Sequence, residues 1–139
     1  MLNQVIILIN DQNVAKLCDL GLATSPNLEE ALLTGEDSDM LPGTYFYMSP
    51  ELLLNYQAGK ANDVWGFACS IVELYAEDLV WELKGYKNAY LCVKDQFENR
   101  RIPERLYNAP MFLSSILNRS FDYNPENRPT MKEFINIFK

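Results

Sequence analysis

Between Asp63 and Tyr75 the chain carries Val64, Trp65, Phe67, Ala68, Cys69, Ile71, Val72, Leu74 and Tyr75, which at helical spacing leave almost no polar face. A helix that is apolar around most of its circumference has to be buried. This segment therefore predicts a central helix on which the rest of the chain packs. Asn62 is placed to cap that helix, and Ser49-Pro50-Glu51 starts an earlier helical turn, with proline where its missing N–H costs nothing. Leu41-Pro42-Gly43 punctuates a turn ahead of it. Downstream, Leu83 to Phe97 and Pro110 to Phe121 have weaker helical periodicity, and Thr130-Met131-Lys132-Glu133 has the form of a capping box opening a last helix. At the amino-terminal end the β-branched run 5–9, the turn formers Asn10-Asp11-Gln12-Asn13 and the apolar stretch Val14 to Leu17 read as a β-hairpin. The expected fold is mainly α, with a short hairpin, a buried central helix and several packed helices.

At 139 residues, with 48% apolar and 22% charged side chains, the chain is one globular domain by size and composition, and it shows no internal repeat. A net charge of −7 argues against a nucleic-acid surface, which needs clustered Lys and Arg. Only Arg100, Arg101 and Arg105 gather, and they read as a solvated loop rather than a phosphate site. Val5 to Ile9 is far too short to cross a bilayer, and no leader pattern follows Met1, so an intracellular, cytoplasmic protein is expected. Cys18, Cys69 and Cys92 lack metal-ligand spacing and the chain has no His, so they read as buried thiols. Residues 22–42 mix Pro26, Gly35 and Pro42 with Glu29, Glu30, Glu36, Asp37 and Asp39, the composition of a loop expected to be the most mobile internal segment.

Four short patterns occur in one order along the chain. They are Asp19-Leu20-Gly21 after an apolar stretch; Gly43-Thr44-Tyr45-Phe46-Tyr47-Met48-Ser49-Pro50-Glu51; Asn62-Asp63-Val64-Trp65; and Asp122-Tyr123-Asn124-Pro125-Glu126-Asn127-Arg128-Pro129-Thr130. Each alone is weak. Together, with Asp63 twelve residues after Glu51, the set resembles the carboxy-terminal lobe of eukaryotic protein kinases of the serine/threonine class, including its tyrosine-kinase-like branch. The first pattern resembles the metal-binding D-F-G with Leu20 replacing Phe. The second resembles the end of the activation segment, and the resemblance covers nearly the whole chain.

The resemblance implies ATP and Mg²⁺ as cofactors and a protein substrate or partner. It makes Asp19 the carboxylate that holds Mg²⁺ on the nucleotide phosphates, and Leu8 a residue packing beneath adenine, although a strand leucine is equally a core residue. The second metal ligand of the family, an Asn thirteen residues before that Asp, falls on Ile6 and is absent. The H-R-D catalytic base, the strand Lys and the Gly-rich loop find no counterpart, so no catalytic residue is assigned in this chain. By resemblance Glu51 pairs with Arg128, Asp63 holds catalytic-loop backbone and Trp65 is core. Leu20, Gly21, Gly43, Thr44, Ser49 and Pro50 belong with Asp19 and Glu51 to the activation segment. Thr24, Ser25, Thr34 and Ser38 are candidate phosphorylation sites.

Two functional readings follow. The chain is a piece of a serine/threonine kinase domain, inactive alone, whose other half lies upstream; or it is a pseudokinase-like scaffold that binds a protein partner and catalyses nothing. In either case Ile6, Leu8 and Leu20 belong to an apolar floor that a free lobe exposes, which invites self-association.

Overall fold

The computed structural model describes residues 6–18 and 44–139, and for Ile6, Ile7, Leu17, Cys18 and Thr44 the backbone alone. Two strands, β1 (Ile6–Ile9) and β2 (Ala15–Cys18), pair antiparallel with Ile6 opposite Cys18 and Ile9 opposite Ala15. The turn between them is made by its own side chains. Asn10 Oδ1 accepts the N–H groups of Gln12 at 3.1 Å and Val14 at 2.8 Å, and Asn13 adopts a left-handed φ of 59°, which asparagine tolerates better than most residues. The strand leucine expected as core is not one: Leu8 is 56% exposed, and Ile9 and Val14 are exposed with it. Among the described residues these two strands form the whole sheet, a ribbon too small to bury its own side chains.

Five helices follow: α1 (Pro50–Asn55), α2 (Lys60–Ala76), α3 (Ala89–Glu98), α4 (Met111–Ser120) and α5 (Met131–Ile137). Short 3₁₀ turns lie at Thr44–Tyr47, Glu104–Asn108 and Pro125–Asn127. Pro50 occupies the first turn of α1 behind the Ser49 cap position, as the sequence predicts. Asn62 does not cap α2. The helix begins three residues earlier than that, with Gly59 at the cap, and Asn62 reaches back from the third helical position so that its Oδ1 accepts the Gly59 N–H. Glycine has no side chain to cap with, so the bond comes from inside the helix. Asn88 caps α3 through Leu91 N at 2.9 Å, and residues 83–88, expected within this helix, precede it as a loop with Gly85 at φ 94°. Thr130 and Glu133 form the reciprocal capping box of α5, Thr130 N–H donating to Glu133 Oε2 at 2.7 Å.

The core is built on α2. Trp65, Ala68, Cys69 and Val72, all at 0% exposure, repeat at three- and four-residue intervals and make the inward stripe. Val93 and Phe97 of α3, Leu113, Ile116 and Leu117 of α4, Leu106, Phe121 and Phe134 close over it. Trp65 meets Phe97, Phe121 and Tyr123 edge to face, with centroids 5.1–6.1 Å apart. The expectation that α2 is buried all round fails in its last turn, where Leu74 is 72% exposed and Tyr75 is exposed beside it. There the inward position is taken by Glu73, whose carboxylate is engaged by neighbouring segments, and the next residues are rotated outward. Cys69 and Cys92 are buried free thiols as expected. No helix among the described residues is long and apolar enough to cross a membrane.

Candidate functional site

Glu51 lies in the first turn of α1, where the positive end of the helix favours a carboxylate, and Arg128 follows the Pro125–Asn127 turn, 77 residues away. The two meet as a fork on a carboxylate: Arg128 Nη1 to Glu51 Oε1 and Nη2 to Oε2, both 2.7 Å. The Arg128 side chain is fully buried and that of Glu51 is 10% exposed. Nε of Arg128 donates to the Asp122 carbonyl at 2.8 Å, and Nη1 also donates to the Ala61 carbonyl at 3.0 Å. Asn62 Nδ2 completes the cluster, donating to Glu51 Oε1 at 2.5 Å and to Ser49 Oγ at 2.6 Å. The guanidinium lies 4.9 Å from the centroid of the Trp65 ring.

Burial alone would raise the Glu51 carboxyl, but hydrogen bonds and charge from Arg128, its own backbone N–H and the Ser49 hydroxyl together outweigh it. The carboxyl is held below its ordinary value, so the pair is ionised at neutral pH. This clasp ties α1 to the start of α2 and to the segment leading into α5. Within it, the Trp65 Nε1–H is buried without a partner.

The turn Thr44–Tyr47 precedes the clasp and is held from its other side. Tyr47 Oη donates to Glu73 Oε2 at 2.5 Å, Val80 N–H donates to Glu73 Oε1 at 3.0 Å, and Trp81 Nε1–H donates to the Phe46 carbonyl at 3.1 Å. Burial, then the adjacent Glu73 carboxylate, push the Tyr47 hydroxyl well above its usual range, so it stays a donor at any physiological pH. None of Tyr47, Glu73 and Trp81 stands out in the sequence as a bonded set, because the three lie in separate apolar stretches.

Of the residues singled out in the sequence, the structure brings together Glu51, Arg128, Trp65 and Ser49, with Pro50 beside them. Asp63 is half-buried in the first turn of α2. Asp19, Leu20, Gly21, Thr24, Ser25, Thr34, Ser38, Leu41, Pro42 and Gly43 lie outside the described residues, as does the loop 22–42, and so does the side chain of Thr44. Arg105 corrects the reading of a merely solvated basic loop. Its guanidinium is 2.8 Å from Asp78, 3.2 Å from Glu82 and bonded to the Leu79 carbonyl. Arg100 stacks over Tyr123 and Arg101 pairs with Asp95.

The sequence pattern of the family described as Protein kinase domain matches residues 4–137. The chain belongs to the protein kinase family. A putative mitogen-activated protein kinase kinase kinase 7-like protein of Drosophila melanogaster is 29% identical over 133 residues, covering 94% of this chain and 32% of that protein. Mitogen-activated protein kinase kinase kinase 20 of Arabidopsis thaliana is 29% identical over 134 residues, covering 94% and 37%. Serine/threonine-protein kinase Nek9 of Mus musculus is 28% identical over 131 residues, covering 94% and 13%. The chain thus spans between 13% and 37% of the length of these three relatives.

Members of the kinase family use ATP and Mg²⁺, and the described residues can be tested for a place to hold them. Among them no group of three or more His, Cys, Asp or Glu could hold a metal ion. Ile6, which the resemblance aligns with the second metal ligand, has a hydrocarbon side chain, and Leu8 is 56% exposed. The described residues thus offer no donor set for a metal–nucleotide site, and Asp19, the carboxylate assigned to the metal by resemblance, lies outside them.

Proposed function

We propose that this chain is the carboxy-terminal-lobe part of a serine/threonine protein kinase domain, built to position the Thr44–Tyr47 turn for a protein substrate, and that alone it neither transfers phosphate nor holds Mg-ATP. The observation that carries the reading is the clasp of Glu51, Asn62 and Arg128. It joins three of the four family patterns through buried, charge-assisted bonds immediately behind the turn. Such an arrangement does no covalent chemistry. It fixes backbone, and positioning is most of what phosphoryl transfer asks of a protein.

The scaffold reading, in which the same surface binds a partner and catalyses nothing, is favoured by the lack of any His and by Ile6 in place of a metal-ligating Asn. Asp19 is the one carboxylate assigned to the metal by resemblance, and one carboxylate does not replace the set. Phosphorylation at Thr24, Ser25, Thr34 or Ser38 belongs to this proposal, as does self-association through the exposed strands.

The test is thermal unfolding with and without millimolar Mg-ATP, with Asp19→Ala alongside. Ligand at a hundred times its dissociation constant stabilises the folded state by about 2.7 kcal/mol, which for a domain of this size raises the melting temperature by roughly 10 °C. No shift is expected. A rise of several degrees that disappears in Asp19→Ala would overturn the claim that this chain holds no nucleotide.

A further inference from the structure

The turn Thr44–Tyr47 has one backbone acceptor that its own hydrogen bonding does not use in the ordinary way. Inside the turn, Met48 N–H closes on the Tyr45 carbonyl at 3.2 Å. The next carbonyl, that of Phe46, accepts instead from the Trp81 indole, 35 residues on. Both Phe46 and Trp81 are 3% exposed, so water does not compete for that bond. Trp81 is also set in place from behind, its ring edge to face with Phe97 of α3 at 5.9 Å and 82°.

We infer that Trp81 is a positioning residue for the Thr44–Tyr47 turn, acting through its indole N–H on the Phe46 carbonyl. A side chain needed only to fill the core could be any large apolar residue. The indole adds a directional donor, and it delivers that donor to the backbone of the segment that the proposed kinase-lobe reading makes the end of the activation segment. The neighbouring residue reinforces the link. Val80 N–H and Tyr47 Oη meet on the two oxygens of Glu73, so the loop after α2 and the turn are joined at two adjacent points. Trp81 also lines a cleft of about 380 Å³ with Tyr86, Gln96, Arg101 and Arg105, which places this loop between an open surface and the turn. A shift of the loop on that surface is therefore passed to Phe46 by a bond rather than by loose packing.

The experiment is amide and indole hydrogen exchange, read residue by residue, on the 139-residue chain and on Trp81→Phe, which keeps an aromatic body and removes the donor. Loss of one buried hydrogen bond is expected to speed exchange of the Met48 amide by roughly tenfold, with α4 amides such as Leu117 unchanged. Exchange unaltered at Met48, or raised equally in α4, would overturn the inference and leave Trp81 as core filling. Should Trp81→Phe not fold, the parent chain still decides. A Trp81 indole proton that exchanges as fast as that of free indole is not bonded to Phe46 and overturns the inference, and one slowed at least tenfold supports it. Neither measurement requires catalysis. Failure here leaves the kinase-lobe reading standing, and that reading is tested separately by the Mg-ATP titration.

Discussion

Arg128→Ala removes four hydrogen bonds at once and leaves behind a carboxylate with nowhere to go. The Glu51 side chain is 10% exposed, and after the substitution its remaining partners are Asn62 Nδ2, the Ser49 hydroxyl and its own backbone N–H. Stranding one member of a buried ion pair costs about 3–5 kcal/mol. The surviving donors favour the lower end of that range, whereas the Asp122 and Ala61 carbonyls, which lose Nε and Nη1, pull it upward. Taking about 4 kcal/mol, and an unfolding entropy that scales to roughly 0.3 kcal/mol per degree for 139 residues, the melting temperature falls by about 14 °C. With a urea slope near 2 kcal/mol/M the midpoint falls by about 2 M.

The assay is urea unfolding followed by tryptophan fluorescence, with the transition slope checked for constancy. Two further variants separate the causes. Arg128→Lys keeps the charge but not the fork, so an intermediate loss is expected, because one ammonium cannot serve both Glu51 oxygens and both carbonyls. Glu51→Leu combined with Arg128→Leu removes both charges and should recover part of the loss. Added salt should change none of these values much, since water-excluded pairs are poorly screened. An unchanged midpoint for Arg128→Ala would refute the reasoning, because a fully buried guanidinium on a carboxylate cannot be lost without consequence.

Acid should reveal the same pair. The folded Glu51 carboxyl lies below its unfolded value, so its contribution is fully present above the ordinary glutamate range and is lost as pH falls through the folded value. Urea midpoints should therefore drop more steeply below about pH 4.5 in the parent than in Glu51→Gln, and parallel curves would contradict this. The exposed Leu8, Ile9 and Val14 of the hairpin predict that the parent chain binds a hydrophobic dye and associates at high concentration, and that Leu8→Lys with Ile9→Lys reduces both. A parent chain that stays monomeric and dye-free would rule this out.

The Glu51–Arg128 pair was expected only through the resemblance to the kinase family, in whose patterns both residues stand. Local signals add that Pro50 starts the helix carrying Glu51 and that the Asn124-Pro125 turn precedes Arg128, and they cannot pair residues 77 apart. The capping box at Thr130 and the hairpin turn at Asn10 were legible from local signals, since their bonds close within four residues. Glu73 was not. Its partners Tyr47 and Val80 lie 26 and 7 residues away, and a single acid within an apolar run reads as an exposed interruption of a buried helix. That misplaced Leu74 as well, because hydropathy alone does not tell which member of a helical turn faces inward once a polar residue has an inward partner. Asn62 read as a cap for want of any sign that α2 begins at Lys60, with a glycine standing before it.

The division between apolar and polar contacts has a physical logic. The edge-to-face rings around Trp65 supply burial, but apolar side chains of similar volume tolerate many relative placements of the helices that carry them. Hydrogen bonds do not. Arg128 can reach both oxygens of Glu51, the Ala61 carbonyl and the Asp122 carbonyl only when α1, the start of α2 and the segment before α5 stand in one arrangement. Burying the pair adds little net stability, since desolvation offsets most of the attraction, yet any misplacement strands a charge. The clasp therefore acts chiefly against alternative packings. The turn Thr44–Tyr47 comes just before this cluster in the chain and is itself held by the bonds of Tyr47 to Glu73 and of Trp81 to the Phe46 carbonyl.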